Sequence, residues 1–143
     1  MMISTRGRYA LRVLVDLAEH SNGAYIPMKD VAERQDISLK YIEKIMPVLT
    51  ANDLVEGMHG KGGGYKLNRA PEDYRVGDVL RLTEGSLAPV KRLEENAGVC
   101  ERCIECRTLP MWEKFFDVIN GYLDSVTIAD LMRQNNAGND YVI

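Results

Sequence analysis

The sequence predicts a mainly α-helical fold with one small β-hairpin: a winged helix-turn-helix followed by a long C-terminal dimerisation helix. Three observations predict it. Residues 54–67, LVEGMHGKGGGYKL, set two short apolar runs around a glycine-rich loop, the pattern of a hairpin wing. Two amphipathic segments joined by a short turn come immediately before that hairpin. Apolar and aromatic residues at helical spacing then return after residue 108.

The elements follow in order. Thr5 is placed to cap a first helix running to about Glu19, with Tyr9, Val13, Leu14, Leu17 and Ala18 as its apolar stripe. Asn22-Gly23 breaks it. Pro27 opens a second helix to about Arg34, burying Val31 and Ala32. Asp36-Ile37-Ser38 makes a turn, and Ser38 caps a third helix with Leu39, Ile42, Ile45, Met46 and Leu49 facing inward. Pro47 lies inside that pattern and is expected to kink or loosen it. Val76 to about Glu84 makes a fourth, short helix, and residues 87–91 read as a strand or an extended link. Thr108 and Pro110 cap and open a long helix whose broad apolar face holds Met111, Trp112, Phe115, Val118, Ile119, Tyr122 and Leu123. Thr127 with Asp130 starts a last short helix, and NNAGNDYVI reads as a frayed tail. The domains drawn from this are 1–75, the winged helix-turn-helix; 76–93, a connecting helix and link; 94–107, a cysteine-bearing loop; and 108–143, a dimerisation helix and tail.

The wing suits contact with a nucleic acid. Gly60, Gly62, Gly63 and Gly64 allow positive φ and remove side-chain bulk, so Lys61 and His59 can be carried up to a phosphate or into a minor groove. A nucleotide-binding P-loop is excluded by order: Lys61 precedes the glycine triplet, and GYKL continues as a strand. On the third helix Lys40, Tyr41, Glu43 and Lys44 point away from the apolar stripe. The lysines reach phosphates or guanine, Glu43 accepts from a cytosine amino group, and Ser38 and Tyr41 donate to phosphate oxygens. Arg6 completes this set of candidate DNA contacts, together with the close-approach glycines Gly62 and Gly63.

Bulk properties agree. The net charge is −3, but residues 1–69 hold 10 Lys/Arg against 8 Asp/Glu, while residues 70–143 hold 8 against 13. The positive charge therefore travels with the wing. No segment approaches the ~20 apolar residues of a membrane span. The charged N-terminal segment suits an amphipathic helix better than a signal peptide, which places the chain in the cytoplasm. We find no Ser/His/Asp set and no nucleotide loop, so an enzyme is not expected. The aromatic C-terminal helix, carrying Trp112, Phe115, Ile119 and Tyr122, is expected to pack against a second copy, and a twofold dimer matches a palindromic operator.

Cys100, Cys103 and Cys106 lie within AGVCERCIECRTL. Two overlapping C-x-x-C pairs can place three sulfurs around one metal, as iron–sulfur and zinc sites do. A cluster, a zinc site, a thiol–disulfide switch and inert exposed thiols all remain open on spacing alone. A fourth ligand would come from Glu94, Glu95, Glu101, Glu105, His20 or a partner chain.

These stretches together resemble the Rrf2-type family of winged-helix transcriptional regulators. The resemblance runs through TRGRYALRVLVDLA, DVAERQDISLKYIEKIMPVL, LVEGMHGKGGGYKLNR and WEKFFDVINGYLDSVTIADL, with GGGY and ISLKYIE its most specific pieces. It implies a homodimeric bacterial transcription factor, which we read as a repressor or dual regulator. The third helix would enter the major groove through Ser38, Lys40, Tyr41 and Glu43, and the wing would enter the minor groove. His59 stands where the wing tip of relatives often carries arginine. Cluster-binding members space three cysteines C-x5-C-x5-C with a histidine shortly after. Here Cys100 and Cys106 keep one such interval, Glu94 and Leu109 occupy the other two places, and Cys103 is extra. The resemblance thus implies a two-iron two-sulfur cluster on an incomplete ligand set, sensing iron–sulfur, redox or thiol status. Its alternative is a regulator of cysteine or sulfur metabolism controlled by a metabolic-enzyme partner, with no cluster.

Overall fold

Apolar residues at three- and four-residue spacing organise the first half around helix α1 (Thr5–Glu19), where Ala10, Val13, Leu14, Leu17 and Ala18 are all buried. The computed structural model describes residues 2–98 and 105–132. Helices α2 (Met28–Gln35) and α3 (Leu39–Ala51) pack against α1, and the antiparallel strands β1 (Val55–Met58) and β2 (Gly64–Leu67) form the hairpin. Helix α4 (Val76–Glu84) crosses α1, and α5 (Leu109–Ser125) packs on α4. The fold is therefore mainly helical with one two-stranded hairpin, as the sequence predicts.

Helix α3 shows which force holds these elements. It runs unbroken through Pro47. A proline inside a helix costs about 3 kcal/mol. Ile42, Ile45, Met46 and Leu49, each no more than 1% exposed, offset it, since burying one such side chain is worth roughly 1.5–3 kcal/mol.

The remaining differences are local. The cap of α1 is Ser4, not Thr5: its Oγ accepts from the Gly7 amide at 3.3 Å and donates to Glu84 Oε1 at 2.6 Å, tying α1 to the end of α4. Leu39 does not face inward; it is 39% exposed, because the first position of α3 turns it to the margin of the buried stripe. Thr108 precedes α5 but its side chain makes no capping bond. Residues 87–91 form no strand and lead into a short 3-10 turn at Lys91–Leu93. The Thr127–Asp130 cap is present: the Thr127 amide donates to Asp130 Oδ2 at 3.0 Å and the Asp130 amide to Thr127 Oγ1 at 3.1 Å. The helical residues 128–132 that follow bury Ile128 in the core of the first half. The tail read as frayed lies outside the described residues.

One buried charge has no counterpart in the sequence reading. Asp16, fully buried on α1, accepts from Arg34 Nη2 at 2.7 Å, Arg34 Nε at 3.1 Å and Gln35 Nε2 at 2.9 Å. The bond to Asp16 holds the Arg34 guanidinium above its ordinary pKa, although burial pulls the other way. Arg12 reaches the same place, donating to the Gln35 side chain and backbone carbonyl. Together these contacts lock the end of α2, and hence the turn into α3, onto α1.

Replacing that carboxylate should loosen the turn. Asp16→Ala is expected to lower unfolding stability by about 2–3 kcal/mol, the cost of losing charged hydrogen bonds while leaving a cation that water can still partly reach. Urea denaturation of both proteins checks it, and a loss below about 0.5 kcal/mol would remove Asp16 from this role.

Candidate nucleic-acid interface

Ser38 sets the start of α3. Its Oγ accepts from the Tyr41 amide at 3.1 Å, which leaves the hydroxyl proton free to be donated elsewhere. From there Lys40, Glu43 and Lys44 stand exposed along α3, opposite Ile42, Ile45 and Leu49. Tyr41 is half-buried at the edge of this face, its ring edge-on to Tyr9 at 5.3 Å, and the Arg12 guanidinium lies 5.2 Å from the Tyr9 ring on α1. Arg6 is exposed in the first turn of α1. Among the described residues, Arg6, Lys40, Lys44 and Lys61 form no ion pair, so their charges are available to another molecule.

The wing is more tightly held than its glycines suggest. Gly60 (φ 93°) and Gly62 (φ 78°) turn the tip, and the Gly63 amide donates to the Gly60 carbonyl at 3.0 Å. His59 and Lys61 are exposed at this tip. Gly64 has a different task. Ile26, just before α2, pairs with β2: its amide donates to the Tyr65 carbonyl at 2.8 Å, and the Tyr65 amide to the Ile26 carbonyl at 2.9 Å. A Cβ on Gly64 would strike the Ile26 carbonyl. Gly57, opposite Tyr65 in the register, makes room for the Tyr65 ring.

The base of the wing is fixed to α3 by Asp53, whose φ of 58° turns the chain into β1. Asn68 donates to the Asp53 carbonyl at 2.8 Å and carboxylate at 2.9 Å, and Arg69 donates to the same carbonyl at 2.7 Å. Tyr74 lies beneath, fully buried, its hydroxyl donating to the Leu54 carbonyl at 2.5 Å, and burial pushes that phenol above its ordinary pKa. Lys66 pairs with Glu56 across the hairpin at 3.2 Å and lies 4.7 Å over the Tyr25 ring. The sequence reading missed Ile26, Asp53, Asn68, Arg69 and Tyr74. Each acts through a contact with a distant element; the one local signal available was the Asn52-Asp53 pair, a residue combination that favours turns, which the sequence reading did not use.

The long helix divides its apolar residues between two directions. Phe116 and Leu123 pack inward with Val76, Leu80 and Leu87. Met111, Phe115, Val118 and Tyr122 stand exposed along the outer side, while Trp112 and Ile119 are half-buried between. The face expected to be one is thus two, and Trp112 meets Phe115 edge-to-face at 6.1 Å. Arg81 clamps α4 to α5, with Asp124 Oδ1 at 2.9 Å and Asn120 Oδ1 at 3.0 Å, where Gly77 lets the two helices approach. The bond to Asp124 raises the Arg81 pKa.

Cys100 and Cys103 lie outside the described residues. Cys106, three residues before α5, has its Sγ 3.6 Å from Thr108 Oγ1. Hydrogen bonds from the Thr108 hydroxyl and from the Thr108 and Leu109 amides lower its thiol pKa. The thiolate, the form that binds metal or exchanges disulfides, is thereby favoured. Among the described residues no three His, Cys, Asp or Glu side chains gather as a metal site. No helix among them is long and apolar enough to cross a membrane.

Known proteins carry this arrangement. The family described as Rrf2, iron-dependent transcriptional regulator, matches residues 3–134. Protein rrf2 of Nitratidesulfovibrio vulgaris is 40% identical over 133 residues, 93% of this chain and 88% of its own. The structure of T. potens IscR superposes with a TM-score of 0.73 at 33% identity, covering 94% of this chain and 88% of that one. CymR, the global cysteine regulator of B. subtilis, superposes with a TM-score of 0.75 at 30% identity, covering 94% of this chain and 98% of that one.

The two kinds of wing glycine should respond differently to a methyl group. Gly64→Ala is expected to cost on the order of 2 kcal/mol and to open residues 59–63 to proteolysis, because the Ile26 pairing must give way. Gly60→Ala, with open space around it, should cost only about 1 kcal/mol of backbone strain and leave the wing protected. Thermal unfolding with limited proteolysis checks both; equal effects would contradict the close-approach reading.

Proposed function

The chain belongs to the Rrf2 family of transcriptional regulators, and from that membership we propose that it is a homodimeric repressor that binds a palindromic operator and senses iron–sulfur, redox or thiol status through its cysteine loop. It is a regulator and not an enzyme. The observation that carries the DNA-reading half is the unpaired cations on two coupled elements. Lys40 and Lys44 on α3, and Lys61 on the wing, face solvent with no partner among the described residues, and Asp53 joins α3 to the hairpin. In this reading α3 enters the major groove through Ser38, Lys40, Tyr41, Glu43 and Lys44. His59, Lys61, Gly62 and Gly63 follow the adjacent minor groove, and Arg6 meets the backbone. The outer stripe of α5, with Phe115 and Tyr122 at its centre and Trp112 and Ile119 at its margin, packs against the same stripe of a second copy.

For the sensing half, Cys100, Cys103 and Cys106 supply three sulfurs suited to a two-iron two-sulfur cluster. That group would bring redox and oxygen sensitivity to the loop. The chain's own part is coupling. Cys106 stands beside the first turn of α5, and α5 is clamped to α4 through Arg81 and Asp124. A change in the loop therefore bears on the dimer helix and shifts the population of recognition-helix spacings.

A second reading has its own support. The likeness to CymR is as close as that to IscR, and no fourth ligand is identified. A cysteine-metabolism regulator governed by a metabolic-enzyme partner is then the alternative.

Binding is tested with operator duplexes selected from random sequence. Sedimentation should give two chains per duplex, and log Kd against log salt should be steeply linear. Lys40→Ala should weaken binding on all sequences and reduce that slope by about 1. Salt-independent or single-chain binding would sink this half. For the sensor, the anaerobically purified protein should absorb between about 300 and 600 nm and contain iron and acid-labile sulfide, all lost in Cys100→Ser. A protein that stays colourless after reconstitution transfers the reading to the partner-controlled alternative.

A further inference from the structure

We propose that Leu39 is a specificity-determining residue of α3, reading the C5-methyl group of a thymine in the major groove. The inference rests on α3 being the DNA-reading helix. Leu39 is the first residue of α3 and is 39% exposed, whereas Ile42, Ile45, Met46 and Leu49 are no more than 1% exposed. It stands one turn before Glu43, at the margin of the polar face that also carries Lys40 and Lys44. The start of the helix does not depend on it, because Ser38 caps the first turn through the Tyr41 amide.

An isobutyl group in that place makes no hydrogen bond and gains nothing from a phosphate. The first residues of a recognition helix are the ones that reach base edges. On those edges the major groove shows one apolar group, the thymine methyl. Four helical residues rise about 6 Å and base pairs stack at about 3.4 Å, so the thymine lies within about two base pairs of the base that Glu43 contacts. The recognition surface thus holds a carboxylate suited to a cytosine amino group beside an alkyl group suited to a neighbouring methyl.

The test uses the full chain and a duplex enriched by it from random sequence. Each thymine is replaced in turn by deoxyuridine, which lacks only the methyl group, and binding is read by fluorescence anisotropy at one fixed salt. At one thymine per half-site the replacement should weaken wild-type binding about fourfold, the worth of one methyl withdrawn from contact. The same replacement should leave Leu39→Ala unchanged. That variant should bind the thymine duplex about as weakly as wild type binds a duplex carrying deoxyuridine at that position in both half-sites, with an unaltered salt slope. Alanine is a strong helix former and the site is exposed, so the variant is expected to fold, and a thermal melt checks this. A scan flat for wild type, or one that Leu39→Ala reproduces at every thymine, overturns the assignment and leaves α3 as the reading helix. Failure to enrich any duplex overturns both.

Discussion

The Asp16 carboxylate is the interaction on which the geometry of the first half depends. A buried charge is costly to desolvate and contributes little net stability, but it tolerates few arrangements of its partners. Here those partners are Arg34 and Gln35, the last residues of α2. Fixing them fixes Asp36, whose left-handed conformation (φ 53°) turns the chain into Ile37 and Ser38. The direction in which α3 leaves the turn therefore follows from a bond made on α1. An apolar contact in the same place would hold the helices together without setting that direction as narrowly.

The wing is held by the same logic at its other end. Two hydrogen bonds to Ile26 fasten β2 to the segment that opens α2, and Asn68 with Arg69 fastens it to the turn after α3. The two elements read as DNA contacts thus share neighbours on both sides. Residues 59–63 lie outside the strand pairing, with Gly60 and Gly62 at positive φ and the turn closed by the Gly63 amide on the Gly60 carbonyl. A helix fixed beside a short glycine-built tip suits the proposed placement of one in the major groove and the other in the minor groove.

The second half is joined to the first by side chains that close over two glycines. Gly7 and Gly77 leave no room for a Cβ beside Glu84 and Asp124, so α1, α4 and α5 form one stack. The C-terminal segment returns to the same stack: Val126 accepts from the Val76 amide at 2.9 Å and the Ile128 amide donates to Tyr74 at 3.0 Å. Tyr74 in turn donates to Leu54 at the root of the wing. Structural continuity therefore runs from α5 to the hairpin through packed, hydrogen-bonded groups, which is the physical requirement for the proposed coupling of loop to DNA.

The sequence by itself determined the element order, the hairpin, the Ser38 cap, the burial of Ile42, Ile45, Met46 and Leu49, and the outward direction of Lys40, Glu43 and Lys44. All of these follow from local periodicity, capping and turn chemistry, which act over a few residues. It also carried the family, because GGGY and ISLKYIE are contiguous. Tertiary structure alone decided the rest. The Asp16–Arg34 bond spans 18 positions and the Arg81–Asp124 bond 43, and no short-range pattern marks such partners. The split of the α5 face had the same cause: a helix shows its apolar residues in sequence, but which of them meet α4 is settled by where Gly77 and Arg81 place the second helix. Leu39 was misread for a related reason. Periodicity counts a leucine toward the stripe, whereas its exposure depends on where the first position of α3 sits against the packed elements, and there Leu39 is 39% exposed while Ile42 is fully buried.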